Sequence, residues 1–308
     1  MGGTGSGPYR MGLGEADERR REAEEASKQA QLAAEVNTLL NRRLIEVNRR
    51  DSEVVNRRLA EVETALSDRL EGVDRLLFGG SVSKQTYVEG LSDIDALLVL
   101  DAATYGNLQP EQVMTELARA LGEKLNRGEA KQIRSGDLAV TVTYTEGLEL
   151  QLLPAVEHGE RLSIKAAHTD SWTAIEPKRF AAALSEVNRD QAGAVVPAIK
   201  LAKVIVANAP ESERPTGYHL EALALAAFAD YTGPRNPKAM LTRFFESAAT
   251  NVRRPIADLT SQSVHVDEAL GAENSRARRS LAQGLERIAT RMQRAPNTGA
   301  WEAMLGEE

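Results

Sequence analysis

The sharpest change of pattern in the chain falls in GGSVSKQTYVEGLSDIDALLVL, residues 79–100. It opens on a Gly-Gly-Ser turn and ends in the apolar run Ala96–Leu100, which reads as a buried strand. Upstream, from Glu15 to about Leu77, there is no proline, and apolar residues recur every three or four positions: Leu32, Val36, Leu39 and Leu40, then Val55, Leu59, Val62, Leu66, Leu70, Val73 and Leu77. That spacing predicts one long helix with a solvated Arg/Glu face and a break near Arg50–Asp51, where Asp51-Ser52 caps a second segment. Downstream, Pro110–Asn126 places Val113, Leu117, Leu121 and Leu125 on one helix face. Residues 138–145 (LAVTVTYT) alternate and are β-branched. Residues 148–153 (LELQLL) are their hairpin partner, and Pro154 is expected to end that strand. Helical patterns follow at 178–187, 193–208, 218–231, 236–248 and 276–293, and no internal repeat is visible. The fold class is α+β.

The 308 residues correspond to two domains at about 150 residues each. The expected divisions are a flexible Gly-rich tail at 1–14, a long helix with an α/β core at 15–175, and a helical domain at 176–308 that completes a cleft. Lys+Arg 38 against Asp+Glu 45 gives a net charge of −7, which excludes a strongly basic nucleic-acid coat as the dominant feature. The absence of cysteine excludes disulfides, zinc-thiolate sites and cysteine nucleophiles, and it suits a reducing, cytoplasmic setting. His158, His168, His219 and His265 are too scattered for a metal cluster, with His219 read as structural. No apolar run is long enough to span a membrane, and the first ten residues lack the apolar core of a signal peptide.

Asp93 and Asp95 stand two apart on the predicted strand, so their carboxylates share a face. Two such carboxylates repel each other unless a cation lies between them. Mg²⁺ (or Mn²⁺) takes oxygen ligands and is commonly shared with substrate phosphates. The Gly79-Gly80-Ser81 turn offers backbone N–H groups and a hydroxyl to phosphate oxygens. A phosphate-cradling turn before a strand bearing paired aspartates is the layout of metal-dependent nucleotidyl transfer.

The same residues resemble the signature of the DNA polymerase β-like nucleotidyltransferases: Gly-Ser, then Lys/Arg-x-Thr, then Gly-x-Ser-Asp-x-Asp. More closely they resemble the OAS/cGAS/DncV-like group, the bacterial CD-NTases. LELQLLPAV, DSWTAIEPKRF, VPAIKLAKVI and PTGYHLEALALAAF support that branch, and PIADLTSQSVHVD is a looser match. The resemblance spans about residues 30–293. It implies a polymerase β-like core with a long N-terminal helix and a C-terminal helical domain. The implied activity joins NTP or dNTP substrates by attack of a ribose hydroxyl on an α-phosphate, with release of pyrophosphate. The product would be a cyclic di- or trinucleotide messenger for antiphage defence, acting on a separate effector protein. An activating partner or phage ligand, and self-association through the long helix, are further expectations. Linear oligonucleotide synthesis, or NMP transfer to RNA or protein, is the alternative on the same fold. Zinc-mediated DNA sensing is not expected without cysteines.

The resemblance assigns Asp93 and Asp95 to the metal. It assigns Gly80, Ser81, Lys84, Thr86, Ser92 and Lys203 to the phosphates, and Tyr218 to base stacking. One departure stands out. The third metal-binding carboxylate lies three positions before the proline in the family, and here that position is Gln151. Three readings follow: Glu149, two residues earlier on the same strand face, substitutes; the alignment slips and another acid serves; or metal binding is weakened and the chain is a nucleotide-binding pseudoenzyme. The basic doublets Arg42-Arg43, Arg49-Arg50, Arg57-Arg58 and Arg278-Arg279 are a groove for a linear product or, with acids interleaved, a solvated helix face.

Overall fold

A computed structural model describes residues 13–48, 52–67, 71–78, 80–88, 94–125, 129–159, 161–166 and 169–307. Residues 1–12, which include most of the expected tail, the predicted break at Arg50–Asp51, and Ser92 and Asp93 lie outside the described residues. The architecture is a mixed α/β sheet flanked by helices and followed by a helical half.

The long helical run resolves into α1 (Leu13–Val47) and α2 (Ser52–Ser67). Its last part is not helix. Val73–Phe78 forms strand β1, entered through Gly72 at φ +77°. The four-residue spacing of Val73 and Leu77 fits a helix stripe, but antiparallel pairing with β2 (Ile94–Asp101) decides the outcome. The two helices also diverge in packing. Val36, Leu39, Leu40, Leu44 and Val47 of α1 join the core of the helical half, whereas Val55, Val62, Ala65 and Leu66 of α2 join the core of the sheet. Residues 17–31 of α1 are exposed.

The remaining strands are β3 (Ala130–Ser135), β4 (Val140–Tyr144), β5 (Glu149–His158), β6 (Arg161–Lys165) and β7 (Trp172–Ile175). The sheet order is β1-β2-β5-β4-β3, with β6 and β7 continuing from β5. β2 pairs with β5 in parallel, and the other pairs are antiparallel. Pro154 does not end its strand: β5 runs four residues beyond it. On one side of β5 the ladder to β4 stops at Leu152 and the ladder to β6 starts at Ala155. Pro154, which has no N–H to give, sits in that gap.

After the single turns α3 (Gly80–Ser83) and α4 (Ala102–Tyr105), helix α5 (Pro110–Lys124) covers one sheet face through Val113, Leu117 and Leu121. Proline occupies its first position, and the Gln112 side chain accepts the Gln109 N–H at 3.1 Å. The opposite face carries a small apolar set, Leu97, Ala155, Ile164 and Ile175, and opens into a cavity. The helical half is α6 (Pro177–Asp190), α7 (Val195–Ala207), α8 (Gly217–Phe228), α9 (Pro237–Asn251), α10 (Arg276–Arg294) and α11 (Thr298–Leu305). Thr216, Asn236, Ser275 and Asn297 cap four of these helices by accepting backbone N–H groups. Trp301 on α11 is fully buried, and Trp172 donates its indole N–H to the Leu108 carbonyl at 2.8 Å.

Two basic doublets are neither groove nor solvated face at one of their members. Arg58 is buried, donates to Glu61, Glu129 and Glu146, and lies over the Tyr144 ring at 4.5 Å. Arg278 is wholly buried. Arg42 and Arg43 pair with Glu307.

Candidate functional site

Gly80 begins a single helical turn, α3 (Gly80–Ser83), that packs against β2. Gly80 has φ +49°, and a Cβ built on it would fall 1.6 Å from Asp95 Oδ2. Only glycine lets the turn come this close to the carboxylate, which is the reason for glycine at this position. The Ser81 side chain is buried, and its hydroxyl has no hydrogen-bond partner among the described residues.

Asp95 stands beside Gln151 in the parallel register of β2 and β5. Neighbours in register present their side chains to the same face, so Gln151 occupies the slot next to the described aspartate. Glu149 lies one pleat repeat earlier on β5, where the Thr143 hydroxyl donates to it at 3.0 Å. The oxygen donors Asp95 and Gln151 suit a hard divalent cation, and Asp93 would add a second carboxylate. Among the described residues no group of three His, Asp or Glu side chains is placed to hold a metal ion.

Asp95, Gly80, Lys84 and Tyr218 line one cavity of about 490 Å³ between the sheet and the helical half. Its walls are mostly apolar, with Leu97, Leu153, Ile164 and Phe180 among them. Tyr218 packs on Phe180 with ring centroids 4.8 Å apart, and its hydroxyl donates to Asp258 at 2.7 Å. Burial pushes the Tyr218 phenol up. Asp258 also accepts from Thr260 and Ser263, and these donors outweigh burial and hold its carboxyl low. The loop thus fixed brings Thr260 and Gln262 to the cavity.

Thr86 and Lys203 lie behind this wall. Thr86 is fully buried and donates its hydroxyl to Glu221. Lys203 is buried, and its ammonium donates to Glu221 at 3.0 Å and to the Thr86 carbonyl at 2.9 Å. Burial pulls Lys203 below the usual lysine value, against the pull of Glu221. Burial would raise Glu221, but Lys203, Lys84 and Thr86 together hold it low. The structure therefore brings together Gly80, Lys84, Asp95 and Tyr218 at the cavity and places Thr86 and Lys203 in a buried ionic cluster beside it. His219 is buried 3.3 Å from Asp267.

Sequence reasoning missed Glu221, Phe180 and Asp258. For Glu221 a signal exists: it is the single carboxylate in the apolar helix GYHLEALALAAF, three residues after Tyr218, where burial demands a partner. Phe180 and Asp258 lie in DSWTAIEPKRF and PIADLTSQSVHVD, where the resemblance gives neither an individual role.

Residues 31–188 match the Second Messenger Oligonucleotide or Dinucleotide Synthetase domain family. No protein of curated function matches the sequence. Among solved structures, Bradyrhizobium diazoefficiens CD-NTase CdnG in complex with GTP is similar with a TM-score of 0.67 at 16% identity, covering 88% of this chain and 95% of that one. Escherichia coli MS115-1 CdnC with ATP gives a TM-score of 0.63 at 16% identity, covering 87% and 93%. Vibrio cholerae DncV cyclic AMP-GMP synthase, with the linear intermediate pppA(3′,5′)pG, gives 0.58 at 11% identity, covering 88% and 85%. These neighbours share the polymerase β-like fold.

Proposed function

The chain belongs to the second messenger oligonucleotide or dinucleotide synthetase family, and we propose that it joins nucleoside triphosphates and closes the product into a cyclic di- or trinucleotide. A ribose hydroxyl of one nucleotide attacks the α-phosphate of another, and pyrophosphate leaves. The observation that carries this reading is the convergence of Asp95, Gly80, Lys84 and Tyr218 on one cavity. Asp93, Asp95 and the Gln151 carbonyl would hold a divalent cation, which when bound supplies positive charge against the reacting phosphate. The Gly80 turn presents backbone N–H groups to the phosphates. Tyr218 offers a ring face to the base, and the apolar cavity wall excludes water from the reacting centre. The product's role is proposed to be antiphage signalling to a separate effector, with an activating partner upstream.

The test is product formation. Purified protein is incubated with α-³²P-labelled NTPs and dNTPs, with Mg²⁺ and with Mn²⁺, then treated with phosphatase and analysed by mass spectrometry. A phosphatase-resistant di- or trinucleotide is expected. A ladder would place the chain with linear polymerases. Silence accompanied by nucleotide binding would support the second reading, a nucleotide-binding regulator, which the position of Gln151 beside Asp95 favours.

Gln151→Asp restores a carboxylate next to Asp95 and is expected to raise turnover about tenfold by strengthening the field that holds the cation. An unchanged rate in an active enzyme would show that Glu149 or another acid already fills the slot. For Tyr218, the ring rather than the hydroxyl is expected to matter for binding. Tyr218→Ala weakens NTP affinity roughly tenfold, within the range for one stacked base. Tyr218→Phe leaves affinity near that of the parent and lowers stability by about 1 kcal/mol through the lost bond to Asp258. Equal affinity losses in both variants, measured by calorimetry, would refute the stacking role.

A further inference from the structure

Lys84 sits where Tyr218 would receive a base. Its ammonium lies 4.8 Å from the Tyr218 ring centroid and 5.0 Å from that of Phe180, and it pairs with the buried carboxylate of Glu221. Two aromatic rings and a carboxylate thus surround one cation, which the ring faces attract. Lys84, Phe180 and Tyr218 all line the cavity, and Lys84 directly follows the Gly80–Ser83 turn assigned to the phosphates.

Resting on the reading of this cavity as a nucleotide site, we propose that Lys84 is a displaceable plug. An incoming base takes the place of the ammonium on the aromatic faces, and the released ammonium moves to the substrate phosphates. Three observations support the exchange. Glu221 keeps Lys203 at 3.0 Å and the Thr86 hydroxyl on its Oε1, so the carboxylate retains a cation when Lys84 leaves Oε2. Lys203 is not placed for the same move, because it is only 6% exposed, also donates to the Thr86 carbonyl, and does not border the cavity. Phosphate offers Lys84 a charge-assisted partner in exchange for Glu221. Base recognition and phosphate capture are then linked. A nucleoside must expel the plug with no phosphate to receive it, whereas a triphosphate supplies both partners.

The experiment measures binding of adenosine, guanosine, cytidine and uridine and of the four matching NTPs, without divalent cation. Calorimetry serves for the NTPs and ligand-observed NMR for weak nucleosides. Lys84→Met is expected to bind the preferred nucleoside roughly threefold to tenfold tighter, because the rings are vacated. The same variant is expected to bind the matching triphosphate roughly tenfold weaker, because a charged phosphate partner is lost. Lys84→Gln, which also drops the charge, is expected to follow it and covers a folding failure of the first variant. Lys84→Arg keeps the cation and is expected to restore the wild-type order of affinities. Opposite signs for nucleoside and triphosphate, in a variant whose melting temperature stays near that of the wild type, support the plug. Equal losses, no change in either ligand, or an Arg variant that behaves like Met overturn it. A wild-type protein that binds neither ligand class overturns the nucleotide reading itself, and the plug with it, by a result none of the other outcomes shares.

Discussion

Asp95→Asn is expected to lower nucleotide transfer by about three orders of magnitude, a loss of roughly 4 kcal/mol of transition-state stabilisation, while the protein stays folded. The substitution keeps volume and shape, so the close approach of Gly80, which tolerates no added Cβ, is undisturbed. What it removes is charge. Gln151, next in register, contributes none, so the described end of the β2–β5 pair loses its one formal negative charge at that level of the sheet. A chain with a full third carboxylate would keep part of its field after such a change, and this chain has less in reserve. The readout is kcat/KM with labelled NTPs in Mg²⁺ and in Mn²⁺. Nucleotide binding without divalent cation is the control and is expected to persist, since Tyr218 and Lys84 remain in place. Activity within tenfold of the parent would remove Asp95 from the proposed machinery.

Much of this arrangement is legible in the amino-acid order alone. The buried run Ala96–Leu100 suits only a central strand, and the alternating LAVTVTYT segment with its Glu146-Gly147 turn marks the β4–β5 hairpin. The Gly80 turn and Asp95 do meet. Other features turn on pairing across long distances. Val73 and Leu77 keep helical spacing but lie in β1 because a partner strand is present. β5 continues through Pro154 because two different strands share its edge. The strands β6 and β7, of five and four residues, carry too short a pattern to register. The arginine doublets show the limit most clearly. Arg58, unlike Arg57, falls on the buried stripe of α2 between Val55 and Val62, but nothing local shows that Glu146, 88 positions away, reaches it. In the site, Lys203 reads from sequence as a phosphate ligand, and α8 brings Glu221 to it, so its ammonium is held in a buried ion pair beside the cavity.

Arg278 carries the second large effect. It is fully buried and gathers the segment that precedes its own helix. Its guanidinium donates to the carbonyls of Val252 at 3.1 Å, Arg254 at 3.0 Å and Gly271 at 2.9 Å, and to the Asp267 carboxylate at 2.5 Å. That segment carries Asp258 to Tyr218 and Thr260 to the cavity wall, so a residue remote from the reacting groups braces the site. Arg278→Met leaves Asp267 buried with its main cation gone, a change that costs about 3–5 kcal/mol, and the melting temperature is expected to fall by roughly 10 °C. Removing both partners, in Arg278→Met with Asp267→Leu, is expected to recover part of that loss, because no unpaired buried charge remains. A double variant no more stable than the single one would show that the carbonyl contacts, not the ion pair, dominate. The same cluster sets an acid limit. Burial lowers His219 to about 4 from an ordinary value of 6.5, with Asp267 pulling upward and Arg278 pushing down. Between those values the unfolded chain binds a proton that the folded chain does not, so stability rises with pH across the window and is lost on acidification. Thermal melts from pH 7.5 to pH 4.5 are expected to show this decline in the parent. In Arg278→Met the decline is expected to be shallower, because the cation that opposes His219 protonation is gone while Asp267 remains.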